Sequence, residues 1–372
     1  MKTFESAAKF PNSGMAVLCL GLAVIVSACA DDQLADSVQE EEQTDPGELC
    51  SFPTSALTDG GVGKDGIPAL TNPALVSPEL VIKYLAEDNR VIGILVDGEA
   101  IAVPHNILWW HEIVNFDFPS RDVAITYCPL TGSSIGFDRS VVGGAEFGVS
   151  GLLFQNNLTM YDRNTEESLW PQMLLEGGCG PAKGQPLETV PVFEMTWAGW
   201  KDLYPNTKVI AAETGYNRNY TEFGYPYGDY EVEDNPRLLF DQPINRRRPP
   251  KERLLGIPGT DGGIAFPFNE LDKTPVTVVE ETSDGKDVVV FWSRFHRGAA
   301  AFRPALGDLN LSFRVENGIF VDEQTGSTWQ LDGLAIDGPL VGERLEPISD
   351  AYVAFWFAWA AFSPPTRVWT AG

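Results

Sequence analysis

Short apolar runs broken by Gly, Asn and Asp recur along most of this chain. They fall at 90–96, 122–127, 134–137, 146–149 and 158–161, and again at 276–279, 287–292, 309–314 and 318–321. Runs of this length, rich in Val, Ile, Phe and Tyr, predict strands. Asp97-Gly98 and Asp284-Gly285 predict tight hairpin turns. Helical patterning is scarce. Ser77-Pro78-Glu79, with Ser as cap and Pro at the first helical position, predicts a helix to about Ala86. Short helices are predicted at 196–203 and 354–362, stopped by Pro205 and Pro364. The fold class expected is mainly β, a β-rich α+β arrangement of short antiparallel strands.

The pattern also repeats. Gly180-Pro181, Trp197, Trp200 and Pro205-Asn206-Thr207-Lys208-Val209 recur as Gly338-Pro339, Trp356, Trp359 and Pro364-Pro365-Thr366-Arg367-Val368. Asp162 to Thr165 with Trp170 recurs as Asp322 to Thr325 with Trp329, and Pro104 and Phe137 match Pro267 and Phe302. The spacing, roughly 160 residues, is far beyond a solenoid repeat and predicts two tandem duplicated domains, each closed by a short helix. The expected layout is a first repeat at 51–215, a connection at 216–255 and a second, degenerate repeat at 256–372. Trp pairs one helical turn apart in both copies are read as core. The aromatic stretch 216–230 has no counterpart after the second copy, and is expected to pack across the domains or line a groove.

The first 28 residues read as an export signal, with Lys2 and Lys9 ahead of an apolar run at 15–26 too short to span a bilayer. Val26-Ser27-Ala28-Cys29 resembles a lipobox, which makes Cys29 the expected lipid carrier and the membrane a partner through that lipid. Ala30 follows in place of a retention Asp, which favours the outer membrane in a Gram-negative host. Residues 29–50 form an acidic tether. A net charge of -26 argues against nucleic-acid partners. The basic cluster Arg246-Arg247-Arg248, Lys251 and Arg253 is expected to pair with local carboxylates. Once Cys19 and Cys29 are set aside, Cys50, Cys128 and Cys179 remain in an oxidising compartment. Cys50 and Cys179 lie in loop sequence and are the expected disulfide, leaving Cys128 free.

Candidate chemistry centres on that thiol. If 109–115 and 123–128 form a hairpin around Phe118-Pro119, His111 sits nearly opposite Thr126, with Cys128 diagonal on the same face. A one-residue slip would separate them. Should they meet, two chemistries open. His111, Cys128 and Glu112 form a candidate site for copper or zinc. Alternatively, Cys128 is a nucleophile with His111 as base, oriented by Asp117 or Glu112. The plain alternative is a buried small thiol beside a satisfied histidine. In the second copy the position of Cys128 falls at Ser293, and no His matches His111. Arg139 and Arg163 are candidate anchors for an anionic ligand, their counterparts being Pro304 and Glu323.

The segments His111-Glu112-Ile113-Val114-Asn115, Thr126-Tyr127-Cys128-Pro129-Leu130-Thr131-Gly132-Ser133, Phe137-Asp138-Arg139, Phe147-Gly148-Val149-Ser150-Gly151 and Met160-Tyr161-Asp162-Arg163 together resemble the bacterial family called domain of unknown function 3179. The resemblance runs from about Ile67 to Val368 and implies an exported or anchored protein without an assigned role. Where many members read Cys-Pro-Leu-Cys, this chain has Thr131, which counts against dithiol redox chemistry. The expectation is therefore an anchored envelope protein that binds a ligand, a transition metal foremost. A cysteine enzyme and a purely structural protein are the alternatives.

Overall fold

The computed structural model describes residues 49–372, so the expected export signal, the expected lipid carrier Cys29 and nearly all of the expected acidic tether lie outside the described residues. After three short strands, Leu57–Asp59, Leu70–Thr71 and Leu75–Val76, the first stretch forms a hairpin, β1 (Arg90–Val96) and β2 (Glu99–Pro104), turning at Asp97-Gly98 with positive φ at both residues, as predicted. Pro104 then sets the N-cap of helix α1 (His105–His111). A meander follows in β3 (Ile113–Asp117), β4 (Asp122–Cys128) and β5 (Ser133–Asp138). A second meander comprises β6 (Phe147–Phe154), β7 (Asn157–Asp162) and β8 (Leu169–Pro171). The chain returns through β9 (Thr189–Val190), which pairs β5, and β10 (Phe193–Thr196), which pairs β1. Helix α2 (Trp197–Leu203) and β11 (Lys208–Ile210), parallel to β2, complete it.

The second stretch runs through the same order. The hairpin β12 (Arg253–Ile257) and β13 (Ile264–Pro267) leads to α3 (Phe268–Leu271). Two meanders follow: β14 (Val276–Ser283), β15 (Lys286–Ser293) and β16 (Gly298–Arg303), then β17 (Phe313–Glu316), β18 (Ile319–Asp322) and β19 (Thr328–Trp329). Strand β20 (Glu346–Pro347) pairs β16, and β21 (Tyr352–Phe355) pairs β12. Helix α4 (Trp356–Phe362) and β22 (Arg367–Val368), parallel to β13, close the chain.

Side-chain detail follows the same correspondence. Trp200 Nε1 donates to Thr207 Oγ1 at 2.8 Å and Trp359 Nε1 to Thr366 Oγ1 at 2.9 Å. Each of these rings lies flat on a glycine of the facing strand, Gly93 or Gly256, where a Cβ would fall 2.1 or 2.3 Å from ring carbons. Trp170 and Trp329 donate to Asp162 and Asp322, which also bind Thr165 and Thr325. These tryptophans are buried.

The expected boundaries at 215 and 256 mark the order of elements but not the packing. Val353 of β21 pairs Ser134 of β5, so one sheet runs through both stretches. Phe291, Phe302 and Trp329 share one core with Val91, Ile92 and Phe193. The 216–230 segment clasps the first stretch: Tyr220 OH reaches His111, and Tyr230 OH donates to the carbonyl of Leu130. Two local expectations need correction. The helix expected over 77–86 is only a 3-10 turn, Pro78–Leu80, because the Ser77 hydroxyl is turned to Glu79 and caps no backbone N–H. The 109–115 run is not one strand: α1 occupies it as far as His111, and β3 begins only at Ile113.

Candidate functional site

Because His111 ends a helix instead of facing Thr126, it does not join Cys128. Its Nδ1 lies 2.8 Å from the Pro68 carbonyl, which can only accept, so Nδ1 carries the proton. Nε2 therefore accepts from Tyr220 OH at 2.6 Å. Burial lowers the imidazole pKa and keeps the ring neutral. Both nitrogens are used, and no lone pair remains for a metal.

Cys128, at the end of β4, is enclosed. Its Sγ accepts from Leu158 N at 3.3 Å and faces the Asn156 carbonyl at 3.7 Å. Burial, and secondarily Glu112, push the thiol up to about 11, the opposite of what an attacking thiolate requires. Glu112 caps α1 at φ 56° and is buried. Burial pushes its carboxyl up to about 8, so it is protonated at neutral pH. The expected copper or zinc set of His111, Cys128 and Glu112 is thus not assembled, and among the described residues no group of His, Cys, Asp or Glu is placed to hold a metal ion.

The expected anion anchors are also committed elsewhere. Arg139 is buried, pairs with Asp117 and donates to the carbonyls of Phe116 and Gly144. Asp117 is therefore tied to Arg139 and Asn72, remote from any role in orienting His111. Arg163 holds Asp65 at 2.8 Å and Glu146 at 3.5 Å. Cys50 and Cys179 form a disulfide, and Cys128 is free.

The concentration of charge lies at the seam between the two stretches. Glu194, the one acidic residue of the otherwise uncharged β10, is buried beneath Arg90 of β1 and Arg253 of β12. Its Oε1 takes Arg90 Nε and lies 3.4 Å from Arg253 Nη1. Its Oε2 accepts from the Ser134 hydroxyl and stands 3.7 Å from His105 Nε2. Burial would raise this carboxyl, but Arg90, His105, Arg253 and Ser134 outweigh it and hold the pKa at about 2. His105 is driven down to about 3, first by burial and then by the guanidinium charges, against the attraction of Glu194. Its ring packs tilted against that of Tyr127, with centroids 4.0 Å apart. Tyr127 OH donates to Glu231 at 3.0 Å, and Glu231 also meets Arg253 at 3.1 Å.

Above this floor opens a cleft of about 500 Å³, the size of a small-molecule site. It takes Arg90 from the first stretch, Glu231, Glu233 and Lys251 from the connection, and Phe268, Trp292 and Arg297 from the second. Lys251 Nζ is buried and donates to the carbonyls of Tyr230, Asn235 and Arg237. Part of the basic cluster is tied down as expected, Arg248 pairing with Glu252 and Glu270. The sequence contained one usable signal for this place: a charged residue at the mouth of an apolar strand in both hairpins, Arg90 before Val91 and Arg253 before Leu254.

The architecture defines a mainly β protein of several small, largely antiparallel sheets, with a charged cleft at the seam between its two stretches. The chain belongs to the family described as Protein of unknown function (DUF3179), whose model matches residues 64–366. No curated protein and no solved structure matches it.

Proposed function

We propose that this chain is a lipid-anchored protein of the bacterial envelope, tethered through Cys29, whose folded part binds a small polar molecule in the seam cleft. The observation that carries this reading is the cleft itself. It is lined from both stretches and the connection, above a buried carboxylate whose partners are all in place. Pre-formed charge of this kind is costly to bury and gives a polar ligand fixed groups to meet. Neither a metal nor a thiol nucleophile has comparable support, since His111 is fully bonded and Cys128 is enclosed.

The test uses the full chain in detergent and thermal unfolding with a small-molecule extract of the host. Wild type should be stabilised, and Asn269→Trp, which fills the exposed cleft rim, should not respond. No stabilisation of wild type would leave the structural-protein reading in possession. Radiolabelled fatty acid incorporated by wild type but not by Cys29→Ala checks the anchor separately.

A further inference from the structure

We infer that the ligand of this cleft is a zwitterion, a free amino acid or short peptide, whose carboxylate is met by Arg297; this rests on the cleft being the ligand site. Arg297 occupies the last position of the turn joining β15 to β16, with φ 49°. The equivalent turn, between β4 and β5, has Gly132 there with φ 60°. Glycine adopts this backbone without penalty, whereas a side chain costs about 1 kcal/mol. An arginine held where the same turn elsewhere uses glycine is strain retained for what the side chain does.

The turn is braced from below. The His296 carbonyl accepts from Thr196 N and Thr196 Oγ1, His296 Nδ1 pairs with Ser293 Oγ at 2.7 Å, and Arg90 Nη2 donates to the Arg297 carbonyl at 3.1 Å. Arg297 lines the cleft, and its charge acts electrostatically on Arg90. Among the described residues it meets no carboxylate: Glu194 belongs to Arg90 and Arg253, Glu231 to Arg253 and Asp272 to Arg294. That group is one anion short.

The same cleft carries acidic groups without a cationic partner. Asp88 lines it unpaired among the described residues, and Glu233 receives only the neutral amide of Asn269 at 2.7 Å. A simple dianion would meet Arg297 but face these carboxylates. A molecule with one carboxylate and one ammonium satisfies both sets. Phe268 and Trp292, in contact at 4.8 Å, add an aromatic wall for its side chain.

The test measures thermal shift and calorimetric affinity of the full chain against free L-amino acids and dipeptides. Matched N-acetyl forms keep only the carboxylate, matched amides keep only the amine, and inorganic phosphate serves as a plain anion. Free zwitterions should bind at least roughly 10-fold tighter than either blocked form, the scale of one charge-assisted hydrogen bond. Arg297→Gly should lose that binding while melting no lower than wild type without ligand, an outcome a merely structural arginine would not give. Asp88→Asn should weaken zwitterions and spare N-acetyl forms. Equal binding of N-acetyl forms or phosphate overturns the zwitterion in favour of an anion. A response to some other class, lost in Asn269→Trp, overturns it while keeping the cleft. No response to any compound, host extract included, overturns both.

Discussion

Glu194 makes the acid stability of this protein a measurable consequence of its seam. Its carboxyl titrates at about 2 in the folded state against 4.5 ordinarily. Between those values the unfolded chain holds the proton and the folded chain does not, so stability rises with pH across that window and is lost on acidification from 4.5 towards 2. At about 1.4 kcal/mol per pH unit the contribution is roughly 3 kcal/mol. His105 acts in the same direction at higher pH. Its folded value of about 3 lies below the ordinary 6.5. The unfolded chain therefore gains a proton from 6.5 downward, removing roughly 5 kcal/mol by pH 3.

Glu194→Gln keeps the shape but leaves Arg90 and Arg253 without their shared counter-charge, which should cost roughly 3–5 kcal/mol at pH 7. The assay is urea unfolding followed by tryptophan fluorescence from pH 7 to the acid limit. The gap between wild type and Glu194→Gln should shrink by roughly 3 kcal/mol below pH 4.5, as wild type loses what the variant never had. His105→Gln should instead flatten the profile between pH 6.5 and 4.5. A Glu194→Gln curve parallel to wild type throughout would refute the assignment of Glu194 as the ionised keystone.

Other consequences are independent of the cleft. Glu112 is raised to about 8, so the folded state holds its proton between 4.5 and 8, and stability declines as pH rises through that range; Glu112→Gln should be close to neutral at pH 4 and stabilising by roughly 3–5 kcal/mol at pH 9 by urea titration. Gly93→Ala and Gly256→Ala each press a Cβ into a tryptophan ring and should each cost about 3 kcal/mol or more, with similar drops in melting temperature. Cys128 should resist a thiol reagent in the folded protein and react on denaturation, whereas rapid native labelling would reopen the nucleophile reading.

Much of the frame was legible from residue types. Asp97-Gly98 and Asp284-Gly285 make hairpins because positive φ is cheap there, and the second tryptophan of each pair, Trp200 and Trp359, is core because its indole has a threonine to bond and a glycine to lie on. The candidate site was not legible, for two physical reasons. Trp109-Trp110-His111 lacks a periodicity that separates strand from a short buried helix, and Pro104 decides the matter by starting α1 one turn earlier. One helix end then turns His111 away from Cys128. The cleft, for its part, is assembled from residues that are distant in sequence: Glu194 reaches Arg253 and Arg90 only because β10 pairs β1 while β21, the partner of β12, continues the sheet of β5. No local pattern records such a meeting. What a comparison of the two stretches does record is departure from equivalence, and Arg297 standing where the other turn has Gly132 is that kind of departure. A residue that conflicts with the geometry its counterpart satisfies is the place to look for function.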